Sequence, residues 1–124
     1  MTEDANTILF VEDDLDIRET LTEILREEGW LVEAAGHGRA ALEALRSDRP
    51  LPRVILLDLM MPIMNGWQFR AEQLADTKLE RVPVVVISAA SNIQQTAAAL
   101  GAAGFVRKPV VLEELLRALR SAAA

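Results

Sequence analysis

Short apolar runs alternate with helical patterns along the chain. Three of these runs are continuous and contain β-branched residues, and they lie at Ile8–Val11, Val54–Leu57 and Val84–Ile87. Runs of this length and composition are typical of strands that are buried on both faces of a parallel sheet. Two weaker runs, Trp30–Ala34 and Phe105–Arg107, bring the number of predicted strands to five.

A helical pattern follows each predicted strand. In the first helix, apolar residues recur at positions i, i+4, i+7 and i+8, which are Ile17, Leu21, Ile24 and Leu25. Asp14 or Asp16 can serve as its N-cap, and Gly29 is placed to end it. Helices are also predicted over Arg39–Ser47, Trp67–Ala75 and Ile93–Leu100, and a last one carries Leu112, Leu115, Leu116 and Leu119. The apolar period of the Trp67–Ala75 segment is imperfect.

Five strands that alternate with five helices predict a parallel sheet with helices on both faces, because right-handed crossovers pack each helix against the sheet. In open sheets of this kind, ligands bind at the carboxyl ends of the strands, near the point where the strand order reverses. The 124 residues, 51% apolar and 26% charged, fit one domain with its own core. We therefore expect a single α/β domain over residues 1–124, with its core at about residues 6–120 and no effector domain.

Charge and composition exclude several classes of function. The 13 Lys and Arg residues against 19 Asp and Glu give a formal net charge of −6, opposite in sign to a nucleic-acid-binding surface. With no Cys and a single His, any metal site must rely on oxygen ligands. The longest apolar stretch, near Val82–Ala90, is far shorter than the roughly 18 residues that suggest a membrane span. We therefore expect a cytoplasmic protein that binds neither nucleic acid nor membrane directly.

Polar side chains stand at the carboxyl ends of four predicted strands. Glu12 and Asp13 follow the first strand, Asp58 the third, Ser88 the fourth and Lys108 the fifth. A single Asp or Ser after a strand usually caps a helix or belongs to a turn. Four such ends at one edge of a sheet are difficult to explain by capping alone, so we interpret these residues as one site.

These residues suit the transfer of a phosphoryl group. Asp13 and Asp58 could share a hard divalent cation, for which Mg²⁺ is the natural choice, and the cation would keep both carboxylates ionised. Asp58 could then attack phosphorus and become an aspartyl phosphate. Lys108 would stabilise the transferred group as a point charge, and Ser88 would donate a hydrogen bond to it.

Four segments of the chain resemble the response-regulator receiver domain, the phosphoacceptor module of bacterial two-component signalling. The segments are Ile8–Asp14, Leu57–Gly66, Val85–Ala89 and Gly104–Pro109, and the second of them, LDLMMPIMNG, is highly specific. The resemblance covers essentially the whole chain. It implies a doubly wound, flavodoxin-like three-layer sandwich with five parallel strands in the order 2-1-3-4-5.

The resemblance also implies which residues bind the metal and which one is phosphorylated. Asp58 is the implied phosphoacceptor, Asp13 a direct Mg²⁺ ligand, and Glu12 an acidic neighbour that reaches the metal through water. The backbone carbonyl of Met60 is the third implied protein ligand of the Mg²⁺ ion.

Three further residues match the parts of the family that sense the phosphoryl group. Ser88 matches the switch hydroxyl, Phe105 the switch aromatic residue and Lys108 the phosphate-binding lysine. The implied function is a stand-alone receiver that accepts a phosphoryl group from a histidine kinase or a histidine phosphotransfer protein. A conformational change would then alter binding of an output protein, or of a second copy, at the surface of the fourth helix, fifth strand and fifth helix. Such a domain assists its own phosphorylation and dephosphorylation but is not an ordinary enzyme.

The chain departs from the family pattern in three respects. Glu12 stands where Asp is often found, and Phe105 lacks the phenol that many relatives carry. Ser88 and Lys108 are closer in sequence than the family leads us to expect, and the shortage falls in the fourth helix or the loop before it. We therefore expect an atypical output surface.

Three alternatives stay open. A Mg²⁺-dependent phosphatase with an aspartate nucleophile would usually carry Asp-x-Asp on one strand, whereas Asp58 follows a different strand from Asp13. A flavin-binding domain of similar topology would carry a phosphate-binding loop after the first strand, where Glu12–Asp14 would repel the phosphate. The chain could also be a receiver domain cut from a larger hybrid kinase or regulator.

Two further interpretations concern residues outside the predicted site. His37 lies in a Gly-His-Gly turn remote from the acidic strand ends, and we interpret it as a surface turn residue. The alternating Arg and Glu residues of the first and last helices are interpreted as solvated faces. Neither feature is expected to take part in the chemistry.

Overall fold

Strands and helices alternate along the chain in this computed structural model, which describes residues 6–124. The five strands are β1 (Thr7–Val11), β2 (Leu31–Ala35), β3 (Val54–Asp58), β4 (Val84–Ser88) and β5 (Gly104–Arg107). The five helices are α1 (Leu15–Glu27), α2 (Gly38–Leu45), α3 (Gly66–Leu74), α4 (Ile93–Ala99) and α5 (Leu112–Ala123). Every predicted element is present, with ends that differ by a few residues. Within residues 6–124, none of the helices combines the length and the apolar character that crossing a membrane requires.

The five strands form one parallel sheet in the order β2-β1-β3-β4-β5. The strand order reverses between β1 and β3, where Val11 lies opposite Leu57. Along the same edge, Asp58 ends β3 and Ser88 lies opposite Arg107 of β5. This arrangement confirms the doubly wound, flavodoxin-like fold and places the predicted site residues at one edge of the sheet.

Each face of the sheet has its own apolar core, because successive strand residues point to opposite faces. The core beneath α2, α3 and α4 includes Leu9, Leu57, Val86, Leu42, Phe69 and Ile93. The core beneath α1 and α5 includes Ile8, Phe10, Leu56, Leu25 and Leu115. The helices thus cover both faces, and the predicted site lies at one end of the middle layer.

Side-chain caps begin the three helices that follow β1, β2 and β3. Asp14, one of the two candidate caps of α1, accepts a hydrogen bond from the Ile17 N–H at 3.0 Å. His37 caps α2 through its Nδ1 atom, so it holds a helix end in addition to occupying a turn. Asn65 and Gln68 form a reciprocal capping box at the start of α3. The caps of α1 and α3 fix the loops that carry Glu12, Asp13 and Met60.

Arg53 joins the first and last described elements at the opposite edge of the sheet. Its backbone N–H donates to the Thr7 carbonyl at 2.9 Å, at the start of β1. Its guanidinium donates to the Ala123 carbonyl at the end of α5, at 3.1 Å from Nε and 2.6 Å from Nη2. The two ends of the described chain therefore meet beside Arg53, away from the carboxyl ends of the strands.

Candidate functional site

Three carboxylates meet at the carboxyl edge of the sheet, where the strand order reverses. Glu12 follows β1 and Asp58 ends β3, and both side chains are buried, whereas Asp13 is exposed. One carboxylate oxygen from each of the three residues lies within 4.8 Å of the other two. Carboxylate oxygens are the ligands that Mg²⁺ prefers in proteins, so this donor set fits the predicted metal.

Asp58 is a buried carboxylate held by its own loop. It is 2% exposed, and its Oδ1 accepts a hydrogen bond from the Met60 N–H at 3.2 Å. Burial, and then the neighbouring Glu12 carboxyl, raise the pKa of Asp58 from 3.8 to about 7, while Lys108 and the Met60 N–H act in the opposite direction. A cation beside Asp58 would relieve this conflict, because positive charge favours the ionised carboxylate.

Lys108 supplies the positive charge of the site. Its Nζ lies 3.0 Å from Glu12 Oε1 and 3.7 Å from Asp58 Oδ1. Its backbone N–H donates to the Ser88 carbonyl at 3.0 Å, and its peptide bond to Pro109 is cis. Burial lowers the pKa of Lys108, but the Glu12 and Asp58 carboxylates outweigh burial and raise it above its ordinary value. Lys108 is therefore charged at neutral pH and partly balances the buried acids.

Ser88 and Phe105 lie on the strands beyond Asp58. Ser88 is buried at the end of β4, and its Oγ accepts a hydrogen bond from the Ala90 N–H at 3.1 Å. A hydroxyl that accepts this bond can still donate its own proton. Phe105 is partly buried against the core beneath α4, and the guanidinium carbon of Arg107 lies 5.8 Å from the centre of its ring. Both residues thus lie on the side of the acidic site that leads to α4 and β5.

The loop between β3 and α3 has a strained and closely packed shape. The Met64 N–H donates to the Pro62 carbonyl at 2.7 Å, which closes a γ-turn with Ile63 at a φ of 67°. Positive φ is costly for a β-branched residue. A Cβ on Gly66 would lie 2.7 Å from Leu59 Cδ2 and 2.8 Å from Leu59 Cα. Only glycine therefore lets the start of α3 approach the end of β3 this closely.

Met60 stays close to the acids through its backbone. Its N–H bonds to the Asp58 carboxylate, while its side chain is 68% exposed. The role of the Met60 carbonyl as a Mg²⁺ ligand stays a prediction.

Arg18 is a site residue that was not recognised in the sequence. Its Nη1 donates to the Glu12 carbonyl at 2.9 Å, so α1 holds the peptide that joins Glu12 to Asp13. The side chain is half-buried, and the interpretation of the charged residues of α1 as a solvated face is wrong at this position. The only signal in the sequence was the position of Arg18, six residues after Glu12. This spacing fits a solvated arginine as well as one that contacts the Glu12 backbone.

Sequence comparisons identify the family of the chain. A family model for the response regulator receiver domain matches residues 8–120. Response regulator MprA of Mycolicibacterium vanbaalenii is 39% identical over 116 residues, which cover 92% of this chain and 48% of the relative. MprA of Mycobacterium tuberculosis is 38% identical over 116 residues, with 92% and 49% covered. The chain thus spans about half the length of the curated relatives it matches.

Solved structures agree with this family. The chemotaxis response regulator CheY4 of Vibrio cholerae has a TM-score of 0.83 at 30% identity, covering 94% of this chain and 97% of that one. The signal receiver domain of a histidine kinase from Syntrophus aciditrophicus has a TM-score of 0.83 at 28% identity, with 95% and 89% covered. Receiver domains act in two-component signalling, where histidine kinases are their typical partners, and the acidic cluster described above fits the metal site of such a domain. On sequence, fold and site together, the chain belongs to the response regulator receiver domain family.

Proposed function

We propose that this receiver domain accepts a phosphoryl group on Asp58 from a histidine kinase or a histidine phosphotransfer protein, in a reaction that requires Mg²⁺. The observation that carries the proposal is the setting of Asp58, a buried carboxylate that lies among two other acids and an ammonium group. Burying a carboxylate is costly unless its charge is balanced. Lys108 balances part of this charge, and a Mg²⁺ ion bound by the same carboxylates would balance the rest and keep an oxygen of Asp58 ionised as the nucleophile.

The proposed step moves phosphorus from nitrogen to oxygen. A carboxylate oxygen of Asp58 forms a P–O bond while the P–N bond of the donor phosphohistidine breaks, and the released imidazole takes a proton from solvent. Lys108 Nζ, 3.7 Å from Asp58 Oδ1, is close enough to bind an oxygen of the transferred group. Ser88, at the end of the neighbouring strand, would donate its hydroxyl proton to another of these oxygens.

Mg²⁺ fits the acidic residues of the same site. Asp13, Asp58 and the Met60 carbonyl would bind it directly, and Glu12 would bind it through water. When bound, the ion supplies positive charge that favours ionised Asp58 and attracts the phosphoryl oxygens. Glu12 already contacts Lys108, so it also orients the ammonium group.

The phosphorylated domain would signal through the surface of α4, β5 and α5. Movement of the Ser88 hydroxyl toward the phosphoryl group would draw in the loop before α4 and favour an inward position of Phe105. This change would alter the affinity of the surface for an output protein or for a second copy of the chain. With a histidine kinase as the phosphoryl donor, the reaction would take place in the cytoplasm.

Intact-mass spectrometry after incubation with acetyl phosphate and Mg²⁺ tests the proposal. One phosphoryl adduct is expected on the wild type and none on Asp58→Asn or in excess EDTA. Asp16→Asn is the matched control, because Asp16 is an exposed acid of α1 outside the cluster, and it should be modified like the wild type.

Two results would contradict this assignment. They are an adduct that persists in Asp58→Asn and an adduct that forms equally well in EDTA. Rapid release of inorganic phosphate with no detectable adduct would instead favour the Mg²⁺-dependent phosphatase with an aspartate nucleophile.

A further inference from the structure

Two polar residues of α3, Arg70 and Gln73, are buried and take no part in the site described above. Arg70 is 7% exposed and Gln73 is 0% exposed, and they share the buried face of α3 with Phe69. Their presence explains the imperfect apolar period of the Trp67–Ala75 segment. Buried polar groups are costly unless they are hydrogen-bonded, so their partners indicate what these residues do.

Arg70 binds the C-terminal end of α4. Its Nε donates to the Leu100 carbonyl at 3.0 Å, and its Nη2 donates to the Gly101 carbonyl at 3.1 Å. Carbonyl groups at the end of a helix carry a partial negative charge because they lack intrahelical partners. No carboxylate among residues 6–124 lies within ion-pair distance of Arg70. The end of α4 therefore serves as the counter-charge of this guanidinium.

The turn after α4 is shaped to present these carbonyls. The Gly101 N–H donates to the Ala98 carbonyl at 3.1 Å, and the Ala102 N–H donates to the Ala97 carbonyl at 3.0 Å. These are the two bonds of a Schellman motif, and the φ of 67° at Gly101 suits it. The motif pairs two carbonyls of the last helical turn, and Arg70 binds the two carbonyls just after the helix.

Gln73 extends the contact to the start of β4. Its Oε1 accepts a hydrogen bond from Arg70 Nη1 at 2.7 Å. Its Nε2 donates to the Leu79 carbonyl at 3.0 Å and to the Val82 carbonyl at 2.9 Å, just before β4 begins. Arg70 and Gln73, which we call the α3 clamp, thus tie α3 both to the chain before β4 and to the chain after α4.

The middle of the β4–α4 unit is held much less firmly than its ends. α4 has only seven residues, two of them buried, and its N-cap residue Asn92 makes no side-chain cap bond. Residues 89–92, which connect Ser88 to the helix, are exposed. On this side, Arg107 Nη1 makes a long contact of 3.4 Å to the Ser91 carbonyl. A helix of this length is marginal without outside support, so its attachment depends on the buried Ile93 and Ala97 and on the clamp at its C-terminal end.

We infer that the α3 clamp is a fixed pivot for α4. Because the signal arises at Asp58 and Ser88, this inference rests on the proposed function. A change at Ser88 would move the exposed loop and the first turn of α4, while the clamp would hold the far end. The helix would then tilt about its C-terminal turn. Arg70 is in this view a positioning residue, since it determines how α4 responds without touching the phosphorylation site.

Amide hydrogen exchange without Mg²⁺ or a phosphoryl donor tests the clamp by itself. Arg70→Met keeps most of the side-chain length and removes every donor to α4. We expect the amides of residues 100–102 to exchange at least about tenfold faster, while amides of β1 and β3 keep rates close to wild type. Equal acceleration in β1, β3 and α4 would show a general loss of stability and would overturn the clamp.

Two further variants make this result specific. Arg46→Met is the matched control, because Arg46 pairs with Glu72 and Asp76 of the α3 region at 3.7 Å and 3.6 Å. It should leave exchange in α4 unchanged, and faster exchange there would contradict the local role of Arg70. Arg70→Lys keeps the charge but loses the forked donors, so it should accelerate the same amides less strongly. If Arg70→Met does not fold, Arg70→Lys decides the outcome by the same criterion.

Beryllofluoride with Mg²⁺, a mimic of the phosphoryl group on Asp58, then tests the pivot. In the wild type, amide chemical shifts in α4 should change most at residues 93–95 and least at residues 100–102. In Arg70→Met, the changes at residues 100–102 should at least about double, with the strand-end changes retained. The pivot would be overturned if Arg70→Met showed the same chemical-shift changes as the wild type. It would also be overturned if the changes in wild-type α4 were largest at residues 100–102. If beryllofluoride changes no amide chemical shift, even beside Asp58, the proposed function fails. The hydrogen-exchange rates measured without beryllofluoride still test whether Arg70 holds the end of α4.

Discussion

At the scale of single residues, the site depends on charges that oppose one another. Asp58 and Glu12 are buried close together, and the Lys108 ammonium lies near both. Burial, and then the Glu12 carboxyl, outweigh the Lys108 ammonium and raise the pKa of Asp58 to about 7. The proton on Asp58 therefore couples pH to stability in the metal-free domain.

The free energy of unfolding of the metal-free domain should fall as this proton is lost. The folded pKa of about 7 lies above the ordinary value of 3.8, so Asp58 contributes stability that is fully present below pH 3.8 and lost as pH rises through about 7. Asp58→Asn should lack this part of the decline. Urea unfolding of both proteins in EDTA, between about pH 5 and about pH 8, measures the difference. If the free energy of unfolding of the two proteins changed with pH in the same way, the raised pKa of Asp58 would be contradicted.

The lifetime of the phosphoryl group should depend on two residues that cannot orient water. Met60 and Ala90 each lie two positions after a site residue, and both side chains are exposed and apolar. Because hydrolysis needs a positioned water, we expect a long-lived phosphoryl group on Asp58.

Met60→Asn or Ala90→Glu should shorten this lifetime by about tenfold or more, as followed by loss of the mass adduct over time. Ala99→Glu adds the same side chain at an exposed position of α4 and should have no effect. An unchanged or longer lifetime in both site variants would show that water positioning does not limit hydrolysis.

At the scale of elements, the approach of α3 to the end of β3 leaves no room for a side chain at Gly66. Gly66→Ala would place a Cβ 2.8 Å from Leu59 Cα and 3.0 Å from the Asp58 carbonyl, so backbone must move. We expect a loss of about 2 kcal/mol in the free energy of unfolding and a lower yield of phosphorylated protein. Gly104→Ala is the matched control, because its Cβ would meet only Ala118 Cβ, at 3.9 Å.

Urea unfolding and intact-mass measurements on the two glycine variants decide this prediction. Gly104→Ala should lose no stability, since alanine suits a strand better than glycine does. If both variants were equally stable, the loop would be more adaptable than its packing indicates.

The elements could be predicted because buried parallel strands appear in the sequence as continuous apolar runs. Asp58 and Ser88 could be identified for the same reason, since each is the first polar residue after such a run. The roles of Arg70 and Gln73 could not be predicted, because their acceptors are backbone carbonyls of other elements. In the sequence, a buried polar residue of this kind is visible only as a break in the apolar period. Arg18 escaped recognition in the same way, because its acceptor is the Glu12 carbonyl.

At the scale of the whole molecule, one strand, β4, separates the acidic site at the end of β3 from the proposed output surface that includes β5. Ser88 ends β4 beside Arg107 of β5, and Phe105 lies opposite Val86. A displacement of Ser88 therefore reaches β5 through paired backbone and reaches α4 through the loop that follows. The route is short, and it begins at Ser88, whose hydroxyl is proposed to bind the phosphoryl group.

Ser88→Ala should separate binding of the phosphoryl group from the response of the output surface. Beryllofluoride should still bind at Asp58, because Lys108 is retained, and shift the amides at the strand ends. The changes across Ile93–Leu100 and Phe105–Leu119, expected in the wild type, should be largely lost.

Ser91→Ala removes an exposed hydroxyl from the same loop and is the control for Ser88→Ala. It should respond to beryllofluoride like the wild type. If the chemical-shift changes in the wild type were confined to the strand ends, binding at Asp58 would not alter the output surface. An unchanged response in Ser88→Ala would assign the transmission to another residue.

The contacts of Arg53 with Thr7 and Ala123 give the molecule a property useful in protein engineering. Since the two ends of the described chain meet at one residue, a short linker could join them, and new ends could be opened in the exposed segment 46–50. Such a circular permutant would keep every strand end of the acidic site in place. Domains joined directly beside residues 6 and 124 would likewise lie at the edge opposite Asp58 and leave the approach of a phosphoryl donor open.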